Sequence, residues 1–323
     1  MMELHTEVNI GNYGFGISHK DRGLLIGSCF ASEIGNRLSA NKFYVAVNPF
    51  GVVYNPFSVV NTLSRLESGT EFTELEIFSH NGLWNSFSHH GSFSSADKET
   101  VLDDINKSVD RGFRALRDSS YIIITLGTAW VFENIASGIV VNNCHKLPSA
   151  NFRRFRLSVD DIVRTFDELF SKELYRSKNI ILTVSPIRHI KDGLAENTMS
   201  KSTLIVAVHE LVQKYENVSY FPAYEIMMDE LRDYRFYDRD MVHPSPVAVD
   251  YIWQKFSDKL ITSESLVLCS RIGKIAAAAA HRPFNHETEA HKAFKKSQLK
   301  DIEAILKDYP CLDFSTEINH FSR

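Results

Sequence analysis

Five short apolar runs, each ending in residues that turn the chain, constrain this fold more than any other feature. They span residues 24–27, 44–47, 121–127, 180–184 and 218–221. Apolar runs of this length, bounded by turn residues, suit strands buried on both faces. Helical periodicity follows the first run (31–38), the fourth (200–215) and the fifth (224–231). Strands alternating with helices give a parallel sheet covered on both sides. The predicted fold is therefore α/β, a three-layer sandwich with a central parallel sheet of flavodoxin-like type.

Two segments interrupt the alternation. Residues 71–95, rich in His, Asn, Ser and Phe, read as an insertion over the sheet edge. Residues 131–145 alternate apolar and polar around Ser137-Gly138, the pattern of a β-hairpin. From about residue 263 the chain turns helical, with helices predicted over 266–281 and 287–308 and a break at Arg282-Pro283-Phe284-Asn285. We expect an α/β domain over 1–262 and a helical extension over 263–323. The extension packs on the same domain or at a homodimer contact, and its alanine-rich stretch suits a buried helix.

Composition narrows the function classes. A net charge of -4 leaves no basic surplus for neutralising phosphates, so neither a nucleic-acid partner nor an anionic membrane surface is expected. No apolar run is long enough to span a bilayer. The four cysteines, Cys29, Cys144, Cys269 and Cys311, are far apart and form no CxxC pair, which disfavours a zinc cage and a disulfide framework. His80, His89 and His90 lack a carboxylate at useful spacing, so no metal is expected. Residues 1–14 show no apolar leader, and the expected location is cytoplasmic. Without a P-loop or a dinucleotide fingerprint, no cofactor is implied.

Ligands bind outside the carboxyl ends of parallel strands, and three polar groups follow such ends. Gly27-Ser28-Cys29 leads from the first run into a helix. A small nucleophile there is exposed, and the helix N-terminus lowers a thiol pKa and stabilises an oxyanion. Cysteine is also among the most buried residue types, so Cys29 as plain packing stays open. In Asp240-Met241-Val242-His243-Pro244, an aspartate three residues before a histidine can bond Nδ1 and fix the tautomer, leaving the other nitrogen as a base. A surface histidine before a helix is the simpler alternative. Asn48-Pro49-Phe50-Gly51, then Tyr54-Asn55-Pro56, is either a Pro/Gly turn or a place where a glycine N–H approaches substrate. Arg188 and His189, after the fourth run, are candidate substrate contacts. Trp84, Phe87 and Trp130 suit an acyl pocket or the core.

In this order the blocks resemble the SGNH, or GDSL-type, hydrolase superfamily. They are closer still to the family named for its GSCFA motif, here Gly27 to Ala31. NPFGVVYNP (48–56), HNGLW (80–84), LGTAWV (126–131), NCHKLP (143–148), SPIRHIKDG (185–193), the stretch 220–237 and HRPFN (281–285) all look like that family, so the resemblance covers nearly the whole chain. It implies that His243 is a base, Asp240 its orienting acid and Gly51 an oxyanion-hole glycine. Two departures stand out. The superfamily nucleophile lies two residues after the glycine, which is Cys29 here, with Ser28 in place of an aspartate; a one-residue shift restores Ser28. The third block reads Gly127-Thr128-Ala129 where Gly-x-Asn is usual, and losing one oxyanion donor costs about two to three orders of magnitude in rate. Thr128, Asn55 or a neighbouring amide would have to substitute.

The resemblance thus implies an acyl hydrolase, an esterase or thioesterase acting through a covalent acyl-enzyme on a small acylated metabolite or sugar. The alternatives are an acyltransferase using a thioester donor, or a ligand-binding protein of the same fold that has lost activity.

Overall fold

The computed structural model describes residues 6–281 and 288–322. The Arg282–Asn285 break and the start of the last predicted long helix at residue 287 lie outside the described residues. The described residues hold ten strands: β1 (Arg22–Gly27), β2 (Tyr44–Val47), β3 (Ile77–His80), β4 (Leu83–Ser86), β5 (Tyr121–Leu126), β6 (Trp130–Asn134), β7 (Ile139–Val141), β8 (Phe152–Arg156), β9 (Asn179–Val184) and β10 (Val218–Tyr220). Five of them form one sheet in the order β2-β1-β5-β9-β10. Every pair in it is parallel. All five runs seen in the sequence are these strands.

Helices cover both faces. They are α1 (Cys29–Ala40), α2 (Pro56–Ser68), α3 (Lys98–Asp118), α4 (Val159–Phe170), α5 (Glu173–Arg176), α6 (Leu194–Lys214), α7 (Ala223–Glu225), α8 (Pro246–Leu260), α9 (Ser263–Ala280), α10 (Glu289–Asp308) and α11 (Ser315–Ser322). Alternate strand residues feed two cores. Leu24, Ile26, Ile122, Ile124, Ile180 and Leu182 pack with residues of α2, α3, α4 and α6. Leu25, Ile123 and Ile181 pack with residues of α1 and α8 on the other side. Neither face of the central strands meets water, which is why these runs show no polar alternation.

Three local readings change. The helix expected over 224–231 is a short α-turn continuing into a π-turn, Ile226–Leu231, that ends at Arg232 with φ 31°. The insertion is a small hairpin, β3–β4, followed by a loop whose His90 N–H donates to Phe50 O at 2.9 Å. It therefore seats on the turn leaving the edge strand β2. The hairpin at 131–145 forms as β6–β7, but a third strand, β8, pairs on its far side. The arginines of FRRFR hide that strand from a hydrophobicity pattern; Arg153 is held across it by Glu133 at 2.8 Å.

Helices α9–α11 enclose a third core around Leu268, Ile272, Ile302, Ile305 and Phe314. They meet the α/β domain through Lys42–Glu317 at 2.7 Å and Tyr44 Oη to Cys311 O at 2.9 Å. No helix is long and apolar enough to cross a membrane among the described residues.

Candidate active site

Chain order reverses between β1 and β5, so the crevice outside their carboxyl ends is the topological switch point of the sheet. A cleft of about 700 Å³ opens there. Ser28, Cys29, Tyr54, Asn55, Gly127, Thr128, Arg188, His189 and His243 all line it, joined by Trp130, Phe132, Arg154 and Asp192 from the outer rim.

The candidate nucleophile turn is built by close backbone contacts. Gly27 has φ 147°, and a Cβ there would stand 2.2 Å from Thr125 O. Its N–H donates to Asn48 Oδ1 at 2.8 Å, and its carbonyl accepts from Val53 N–H at 2.9 Å. Ser28 N–H donates to Thr125 O at 3.1 Å. Ser28 is the N-cap of α1, with a buried hydroxyl that accepts from Phe30 N–H. That duty leaves Cys29, at the first helical position and partly exposed, as the group presented to the cleft. Its Sγ lies 3.7 Å from Tyr54 Oη. Burial, then the neighbouring thiol, raises the Tyr54 phenol above its ordinary value, so it stays protonated and able to donate. Tyr54 is a site residue that sequence reasoning quoted but gave no role.

The candidate acid–base loop lies after β10. Asp240 Oδ2 meets His243 Nδ1 at 2.6 Å, while Asp240 Oδ1 accepts from the N–H groups of Val242 and His243, both at 2.9 Å. The bonds from His243, backbone first and then ring, hold the Asp240 carboxyl down to about 2. The carboxylate thus favours the tautomer with hydrogen on Nδ1, which leaves Nε2 as the bare nitrogen of the neutral ring. Both side chains are about half exposed (46% and 49%), and the turn contains Met241 in a left-handed conformation, φ 58°.

Four expected roles need correction or sharpening. Gly51 does not line the cleft. Its N–H donates to Asn48 O at 2.7 Å, and its φ of 78° and the closeness of His90 Cβ explain the glycine as a turn requirement. In the third block, Gly127 and Thr128 both donate their N–H to Tyr54 O, at 2.7 and 3.0 Å. The Thr128 hydroxyl sits between Ser200 Oγ and Trp130 N–H. Neither is free to hold an oxyanion. Asn55 caps α2 by accepting from Ser58 N–H, and one Nδ2 hydrogen goes to Ser58 Oγ. Its second Nδ2 hydrogen and the Cys29 N–H are two candidate donors left on the cleft. Arg188 is buried and donates through Nε to Met241 O at 3.1 Å, with Nη2 on the same oxygen. Its N–H holds Val242 O at 3.1 Å, and its guanidinium stacks 4.1 Å over Tyr237. It clamps the acid–base loop instead of reaching for substrate.

Of the insertion's histidines, His89 is a packing residue. His89 is fully buried among Phe50, Phe72 and Phe93, and burial pulls it down to about 3. Among the described residues no cluster of His, Cys, Asp or Glu has the makings of a metal site.

Residues 22–256, from β1 to the last turns of α8, match the GSCFA family. The chain belongs to that family. A second match, to the GSCFA domain protein C-terminal domain, covers residues 272–323. The two matches meet the α/β domain and the helical core of α9–α11 respectively. No curated protein matches the chain. The GSCFA motif itself is the turn from β1 into α1: glycine for the close approach, serine for the cap, cysteine for the cleft, then Phe30 and Ala31 buried against the sheet.

Proposed function

We propose that this GSCFA protein is an acyl hydrolase, an esterase or thioesterase, working through a thioester on Cys29 in the manner of the SGNH superfamily. The carrying observation is the Asp240–His243 pair at 2.6 Å, opening on the same switch-point cleft as the Cys29 thiol. His243 Nε2 takes the thiol proton, and the thiolate adds to the ester or thioester carbonyl. Cys29 N–H and Asn55 Nδ2 receive the developing oxyanion, and the α1 N-terminus adds to its stabilisation. The imidazolium then returns the proton to the leaving alcohol or thiol. Water, deprotonated by His243, cleaves the acyl-cysteine and regenerates the thiol. Four unpaired cysteines suit a reducing, cytoplasmic setting and a small acylated metabolite.

The contact of Cys29 with Tyr54, and a third block closed by Tyr54 O, favour as second reading a binding protein that has lost activity. An acyltransferase would share the first half-reaction. Incubation with p-nitrophenyl acetate, followed by p-nitrophenol release and intact mass, identifies the nucleophile and separates acyl transfer from binding alone. An acetyl adduct that survives Ser28→Ala but vanishes in Cys29→Ala and His243→Ala supports the thiol mechanism. Loss with Ser28→Ala alone moves the nucleophile to the serine. No adduct on this ester or on acyl thioesters favours the binding protein.

A further inference from the structure

Beneath the cleft floor sits a titratable pair that the acyl transfer above does not use. Lys201, on α6, is fully buried, and its ammonium donates to Gly127 O and Ser185 O, each at 2.7 Å. It has no carboxylate partner among the described residues. The same Gly127 carbonyl meets His189 Nε2 at 2.9 Å. A carbonyl oxygen only accepts, so Nε2 carries the hydrogen, and in the neutral ring Nδ1 is a bare acceptor. His189 lines the cleft, and its Nδ1 has no protein partner among the described residues. The backbone is fixed too, His189 N–H donating to Asn197 Oδ1 at 2.8 Å.

The charges around the ring decide its state. Lys201 and Arg154 oppose a second positive charge, while Asp192 favours one but is engaged with Arg154 at 2.6 Å. Burial, then the Lys201 charge, lowers the imidazole below its ordinary value. We propose that His189 is a specificity-determining residue whose Nδ1 accepts a hydrogen bond from a neutral donor on the substrate, a hydroxyl or amide N–H, with Lys201 as the positioning residue that fixes the ring. A cationic donor such as an ammonium is disfavoured by the same buried charge. This rests on the cleft being the acyl-transfer site, and it adds that the favoured ester or thioester bears such a donor.

Two measurements test it. In ¹⁵N-histidine-labelled protein, His189 should be the neutral Nε2–H tautomer at pH 7, and Lys201→Met should raise the pH at which the ring titrates. An Nδ1–H tautomer or an imidazolium at pH 7 overturns the proposal. In the second, kcat/KM is compared for two isosteric pairs: S-(2-hydroxyethyl) against S-propyl thioacetate, and p-nitrophenyl glycolate against propionate. Wild type should favour the hydroxylated member of at least one pair by about tenfold or more. His189→Phe should erase that ratio, and His189→Gln, whose amide oxygen accepts, should restore part of it. A ratio of one, or one indifferent to His189→Phe, overturns the role. If no ester is turned over, the proposed function fails by itself. The same pairs are then titrated by NMR, where a response of His189 Nδ1 to the hydroxylated members alone upholds the binding role and no response removes it.

Discussion

The two halves of the site are held by different means. The candidate nucleophile turn is made by strand and helix: Gly27 pressed on Thr125, Ser28 capping α1, and Asn48 bonding Gly27 N–H. The candidate acid–base loop is half exposed, passes through a left-handed Met241 and is held by Arg188 through both its buried guanidinium and its N–H. One half is set by the fold's own hydrogen-bond ladder, the other by a clamp 53 residues away in sequence. The turn therefore fails only with the sheet, whereas the loop can fail while the sheet stands.

The sharpest contrast is chemical. Removing the base with His243→Ala should lower kcat/KM by about 10⁴-fold or more, with thermal unfolding little changed because the side chain is half exposed. An equal loss of activity and of folded protein would show that the two halves are not separable. Next in size, Gly27→Ala should destabilise by about 4 kcal/mol or more in urea unfolding, since a Cβ meets backbone on a conformation L-residues rarely adopt. A fully stable Gly27→Ala protein would refute the account of a rigid turn.

Arg188→Met should lower kcat by about 10- to 100-fold with a smaller change in KM. Arg188→Lys should recover only part of this, because an ammonium lacks the two-nitrogen fork on Met241 O. If lysine restores full activity, charge and not geometry holds the loop.

Lys201 sits under the cleft on the Gly127 and Ser185 carbonyls, and the sign of its effect is open to a stability measurement. Burial lowers its ammonium to about 7 from an ordinary 10.5. The unfolded chain then binds the extra proton between those values, so wild-type stability should rise with pH across about 7 to 10.5. The slope is at most about 1.4 kcal/mol per pH unit, and Lys201→Met should lack it. Identical slopes would place the charge outside the buried floor.

The smallest effect is at the exposed loop. The folded carboxyl of Asp240 titrates near about 2, below its ordinary 3.8. Its contribution is present above about 4 and lost as pH falls towards about 2. Acid unfolding of wild type and Asp240→Asn should therefore differ above pH 4 and converge near pH 2.

The sheet was legible in the sequence because burial on both faces removes polar residues, and the five runs are the five central strands. The GSCFA turn and the DxxH loop were legible because each is local: a cap, a close glycine and an i to i+3 hydrogen bond act within a few residues. The strand FRRFR was hidden, since its arginines bond across strands and not within a core. Gly51 misled because a turn glycine and an oxyanion-hole glycine share one requirement, backbone freedom, and only the partner of the N–H distinguishes them.

By itself, then, the sequence determined the α/β layers, the family and the two segments that carry the candidate chemistry, because those depend on periodicity and short-range hydrogen bonding. Tertiary structure alone decided that Tyr54 faces Cys29, that Tyr54 O closes the third block, that Arg188 clamps the loop and that Lys201 and His189 share the Gly127 carbonyl. Each of these is a contact between residues far apart in the chain. What a polar side chain does is set by which donor or acceptor the fold brings within about 3 Å, and no spacing along the chain records that.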